Sequence, residues 1–175
     1  TFLSDMFALK SCDLIFTYIE RVHQDIRGDA EARENMMKAS MLAGVAFSNS
    51  DVGAVHCLSE ALGALYDIPH GVANAAFLPY VMEFNLPAVS SKYADIARKA
   101  GIEEEDDEAA ARELIALIKD LSQRLGIPSV LNLGVQKGQF LEIARKSYQN
   151  NSNSSNPREA GIDDYLNIIY QALQA

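Results

Sequence analysis

Residues Val55 to Asn85 read VHCLSEALGALYDIPHGVANAAFLPYVMEFN, and how this stretch folds decides the architecture. Apolar and small residues at helical spacing predict a helix from about Val52 to Leu65, and Tyr66-Asp67-Ile68-Pro69 then predicts a tight turn. Pro69 suits the first turn of a new helix, where its missing amide proton costs nothing, so His70 stands at a helix start. His56 and Glu60 lie four residues apart on one helix face, with Gly53, Gly63 and Ala64 leaving room for close approach. If the second helix folds back, His70 faces His56, and two imidazoles with a carboxylate in reach are a common set for iron(II), zinc or manganese in an interior cleft. Two core histidines hydrogen-bonded to backbone satisfy the same spacing. From Gly71 to Asn85 the pattern is apolar on nearly every face, which places that helix at the centre of a domain. Pro79 is expected to bend or break it.

Outward from this centre the chain reads as helix after helix. From about Ser4 to Arg27, Cys12, Ile15, Phe16, Ile19, Val22 and Ile26 recur at three and four residues as one buried stripe, ended by Gly28. Asp29 caps a second helix running to about Phe47, and Phe47-Ser48-Asn49-Ser50-Asp51 stops it. Ser90 or Ser91 caps a helix through Ala100. The acidic run Glu103 to Glu108 reads as a solvated entry to a helix bearing Leu114, Ile115, Leu117, Ile118, Leu121 and Leu125, closed by Gly126 and Pro128. A further helix is expected through Phe140, Ile143, Ala144 and Tyr148. Asn150 to Asn156 is a polar loop long enough to be mobile, and Gly161-Ile162-Asp163-Asp164 opens the last helix. No window alternates with period two, so the fold class is all-α, a compact array of about eight helices over residues 1–175 as a single domain.

Composition restricts function. The 175 residues carry a net charge of −9, with a pI near 4.7, which disfavours nucleic acid or an anionic membrane surface as partner. No apolar run approaches the roughly 20 residues of a membrane span, and no secretory signal is present, so the reading is cytoplasmic. Cys12 and Cys57 are too far apart for a CxxC motif and read as reduced thiols. Asn150-Asn151-Ser152 and Asn153-Ser154-Ser155 match the glycosylation sequon as chance features of an asparagine-rich loop. His23 reads as a surface histidine. Thr1 is not a natural beginning, and the chain reads as cut from a longer polypeptide.

Ser4-Asp5-Met6-Phe7-Ala8-Leu9-Lys10, Phe47-Ser48-Asn49, Val55-His56, Gly63, Pro69-His70-Gly71-Val72-Ala73-Asn74, Leu78-Pro79, Val81-Met82, Asn85 and Asn156-Pro157-Arg158 together resemble the C-terminal half of the iron-containing (group III) alcohol dehydrogenase family. The resemblance spans nearly the whole chain, and it is specific because two histidines fourteen residues apart sit inside a long matching frame. It implies the dehydroquinate synthase-like helical domain, without the N-terminal nucleotide-binding α/β domain that would be its partner. It implies His56 and His70 as two metal ligands for Fe2+ or Zn2+, with an aspartate and a first histidine supplied from before Thr1. NAD or NADP would be the cofactor and a small alcohol or its aldehyde the substrate, with a homo-oligomer left open. Phe47 matches an aromatic position of the substrate pocket, or is a plain core residue. Glu60 departs from the family pattern, where many members carry a histidine. It is the candidate catalytic base, or a structural carboxylate bonded to a neighbour or to solvent. A hydroxyacid–oxoacid transhydrogenase of the same superfamily and a non-enzymatic helical scaffold are the rival readings. The fragment alone is expected to be inactive.

Overall fold

A computed structural model describes residues Thr1–Gln174, and among them helices and turns occur without any strand, as an all-α reading requires. The chain divides into two compact units.

The first unit comprises Thr1–Asp51 and Ser90–Leu114. Helix α1, Phe2–Gln24, is capped by the Thr1 hydroxyl, which accepts the Ser4 amide proton. It ends at Asp25, earlier than expected, and Gly28 does not terminate it through a left-handed turn. Gly28 is small because the Asp25 carboxylate, which accepts the Gly28 N–H at 2.7 Å, leaves no space for a Cβ. The expected stripe is only half-buried, and Ile26 is 62% exposed. The fully covered α1 side chains are the small Ser4 and Ser11. Helix α2, Ala30–Phe47, buries Ala32, Ala39 and Ala46 at seven-residue intervals, and the Ser11 hydroxyl donates to the Ala39 carbonyl at 2.8 Å. Small residues on both sides permit this close backbone approach, which larger stripe residues would prevent. Asp29 caps α2 as expected, accepting from the Ala32 N–H at 2.9 Å.

The second unit comprises Val52–Val89 and the chain from Ile115 onward. Helix α3, Ala54–Tyr66, ends on Asp67 in the left-handed region at φ 53°, and α4, His70–Lys99, starts at the next regular residue after Pro69. Helical dihedrals run through Pro79, so the helix is not broken there; it is kinked at Val89, whose φ of −142° leaves the helical region. Pro79 lies among the buried Phe77 and Val81, where packing outweighs propensity, while the departure at Val89 follows Pro87 and precedes two serines. Helix α5, Asp107–Arg124, is entered through Asp106, which accepts the Ala109 N–H, so the acidic run is a cap. Its residues up to Leu114 belong to the first unit and those from Ile115 to the second.

Helix α6, Phe140–Gln149, buries Phe140, Ile143, Ala144 and Ser147, whereas Tyr148 is 48% exposed. Ser147 holds that inner position because its hydroxyl donates to Ile143 O at 2.9 Å and lies 3.3 Å from Cys57 O. Helix α7, Ile162–Leu173, opens with Asp164 accepting the Gly161 N–H. Leu58, Leu62, Phe77, Phe140, Ile143, Tyr165 and Ile168 form the core of this unit, all but sealed from solvent. The polar loop from Asn150 to Asn156 is tied rather than loose: Asn153 bonds Ala160 O and Tyr165, and Asn156 bonds Ala54 and Asn85. Cys12 and Cys57 are free thiols, and burial pushes the Cys12 thiol up. Among the described residues no helix is long and apolar enough to cross a membrane.

Candidate metal centre

Two helix starts in the second unit bring the histidines together. His56 sits in the first turn of α3 and His70 is the first residue of α4. His56 Nδ1 and His70 Nε2 are 3.1 Å apart, and the rings tilt at 47° with centroids 5.0 Å apart. His70 is exposed and His56 half-buried, so the pair is open at the surface of the described residues. Two nitrogens each about 2.1 Å from one ion at bond angles of about 90–109° lie roughly 3.0–3.4 Å apart, so the observed separation fits two ligands of one metal. Imidazole nitrogens are borderline donors suited to iron(II) or zinc. Among the described residues no cluster of three or more histidine, cysteine, aspartate or glutamate side chains could hold a metal.

Glu60 follows His56 by one turn, is exposed, and accepts a hydrogen bond from Asn150 Nδ2 at 2.6 Å on Oε2. Phe47 ends α2 in the first unit and is 53% exposed, so it is no core side chain there. His23, also exposed, belongs to that unit and lies near the end of α1.

Two features near the histidines are absent from the sequence expectations. Ser59, fully buried, donates to His56 O at 3.0 Å and lies 3.2 Å from His70 Nδ1. The signal for it was a hydroxyl on the His56 face of an otherwise apolar helix. At the start of α3, Asn156 Oδ1 accepts the Ala54 N–H at 3.1 Å and shares two amide hydrogen bonds with Asn85, at 3.1 and 2.7 Å. Gly53 leaves the space this requires, since a Cβ there would lie 2.8 Å from Asn156 Oδ1.

The architecture recurs in solved enzymes. A structure of 1,3-propanediol oxidoreductase superposes with a TM-score of 0.90 at 39% identity, covering 97% of this chain and 45% of that one. The 1,3-propanediol dehydrogenase of Klebsiella pneumoniae is 44% identical over 81% of this chain and 38% of its own length. The NADPH-dependent butanol dehydrogenase of Clostridium saccharobutylicum is 34% identical over 95% of this chain and 43% of its own. The chain thus spans less than half the length of these relatives. Its class is that of the helical C-terminal part of metal-dependent alcohol dehydrogenases. Residues 1–173 match the C-terminal model of the Fe-containing alcohol dehydrogenase family, and the chain belongs to that family.

Proposed function

We propose that this chain is the metal-binding helical domain, residues 1–175, of a two-domain, cytoplasmic NAD(P)-linked alcohol dehydrogenase that interconverts a small alcohol and its aldehyde or ketone. The observation that carries the reading is the 3.1 Å approach of His56 Nδ1 to His70 Nε2 at a solvent-accessible surface; core histidines of a scaffold would point apart or be closed in by apolar side chains. His56 and His70 would hold Fe2+, or Zn2+, with the remaining ligands supplied by residues outside this chain. Bound there, the metal supplies Lewis acidity that lowers the pKa of the alcohol hydroxyl, and NAD or NADP supplies the hydride acceptor. Glu60 takes the proton released from the alcohol. Its Oε2 is occupied by Asn150, which leaves Oε1 to receive the proton and solvent to carry it away.

The test is metal analysis together with NAD(P)-linked alcohol oxidation by the complete polypeptide that carries this chain. His56→Ala and His70→Ala should each remove bound iron and lower kcat/KM by at least ~10³-fold. Full metal occupancy in either variant rejects the assignment. The 175-residue chain alone should bind iron weakly and turn over no alcohol; micromolar iron affinity or NAD-linked turnover by it would overturn that part.

A further inference from the structure

We infer that Ser59 is a positioning residue that sets the tautomer of His70, and with it the nitrogen that His70 offers to the metal. This rests on the metal reading above but concerns a residue with no assigned part in it.

A serine hydroxyl has one proton to give and lone pairs to accept. Ser59 gives its proton to His56 O at 3.0 Å, a bond back along its own helix. With that proton on His56 O, the Ser59 oxygen is left to accept, which assigns His70 Nδ1–H as the donor in their 3.2 Å contact. Neutral imidazole carries a proton on one nitrogen only, so a proton held on Nδ1 leaves Nε2 with its lone pair free. Nε2 is the nitrogen that faces His56 at 3.1 Å.

Burial makes this orientation persistent. Ser59 is wholly covered, so no water competes for its hydroxyl, while His70 itself is exposed and would otherwise exchange both nitrogens with solvent. The same hydroxyl touches the carbonyl of one histidine and the ring of the other. It thereby links the start of α3 to the start of α4. A ligand histidine whose second nitrogen is fixed by a hydrogen bond binds metal more tightly, and losing such a partner typically costs about 10–100-fold in affinity.

The experiment uses the complete polypeptide, metal-free and then titrated with Fe2+, under conditions where both imidazoles are neutral. Ser59→Ala removes only the hydroxyl and places a good helix former in the helix. Nitrogen-15 histidine spectra should show His70 protonated on Nδ1 in the unaltered protein and shifted toward Nε2 protonation in Ser59→Ala. Fe2+ affinity should fall about 10–100-fold with the thermal midpoint of the metal-free form unchanged. Ser59→Thr, which keeps the hydroxyl, should restore the Nδ1–H signal. Persistence of the Nδ1–H form and of full affinity in Ser59→Ala overturns the inference; if His70→Ala still abolishes binding, the metal reading stands without it. Retention of Fe2+ by His70→Ala instead removes the metal reading itself.

Discussion

Asn156 Oδ1 caps the first amide of α3 at Ala54, reaching it from 102 residues away. Its amide nitrogen donates to Asn85 Oδ1 at 2.7 Å and to Arg158 O at 2.7 Å, so the side chain is satisfied on both ends. Asn85 and Asn156 are 4% and 9% exposed, which leaves little water to replace a lost partner. Asn156→Ala strands the Ala54 N–H and both ends of the Asn85 amide. The expected cost is about 2–4 kcal/mol of stability, since each buried group left unsatisfied costs roughly 1–3 kcal/mol and some relaxation offsets it. Chemical denaturation of the variant against the unaltered protein measures this, and a loss below about 0.5 kcal/mol would show the cap to be dispensable.

Gly53 and Gly44 give opposite expectations from the same substitution. At Gly53 an alanine Cβ would meet Asn156 Oδ1 at 2.8 Å and Asn156 Cα at 3.4 Å, and the oxygen cannot withdraw without leaving Ala54 and Asn85. Gly53→Ala should therefore destabilise by about 1–3 kcal/mol. Gly44 lies inside α2 with nothing within 4 Å of a new Cβ, so Gly44→Ala should stabilise by about 0.5–1 kcal/mol through helix propensity. Paired thermal melts decide both signs.

Much of this was legible locally. Asp29 and Gly161 mark helix starts, and Tyr66 to Pro69 marks the turn, because caps and turns are written within a few residues. The histidine pair was legible as two helix starts around that turn. What escaped has partners distant in sequence. Asn156 looked like a member of a loose asparagine run because its bonds to Ala54 and Asn85 have no local signature. Ser147 takes an inner place without a local signal, because a hydroxyl bonded within its own helix packs at low cost beside Cys57 O. That Pro79 leaves its helix unbroken is not legible, because helix propensity carries no term for the packing around it.

Acidification should loosen the contact between the end of α1 and the start of α2. Arg21 Nε donates to Asp29 at 2.9 Å, and its Nη2 donates to Asp29 at 3.0 Å and Glu31 at 2.8 Å. These hydrogen bonds, with the Ala32 N–H in the case of Asp29, hold both carboxyls below their ordinary values of 3.8 and 4.5. Groups depressed in this way stabilise the fold above their ordinary values, and the contribution disappears as pH falls through the lowered folded values. Glu31 is exposed and Asp29 half-buried, so salt weakens the effect, most at Glu31. Arg21→Gln should raise both carboxyl pKa values toward 3.8 and 4.5 and flatten the stability change below about pH 4, read by carboxyl NMR titration and pH-dependent melts.

Substitution of Glu60 tests the proposed proton transfer apart from metal binding. Its carboxylate is one helical turn from His56, and Asn150 Nδ2 holds Oε2 at 2.6 Å. Glu60→Gln keeps the size and a hydrogen-bonding amide but removes the base. For a general base the expected loss in kcat is about 10²–10⁴-fold, with bound iron and the metal-free melting point unchanged. Asn150→Ala leaves the carboxylate in place without its anchor, so its loss should be smaller and rise mainly with substrate positioning. Steady-state kinetics with metal analysis on both variants tests this order. If Glu60→Gln retains kcat within about two-fold, the carboxylate serves only to tie the Asn150 loop to α3, and the proton leaves by another group.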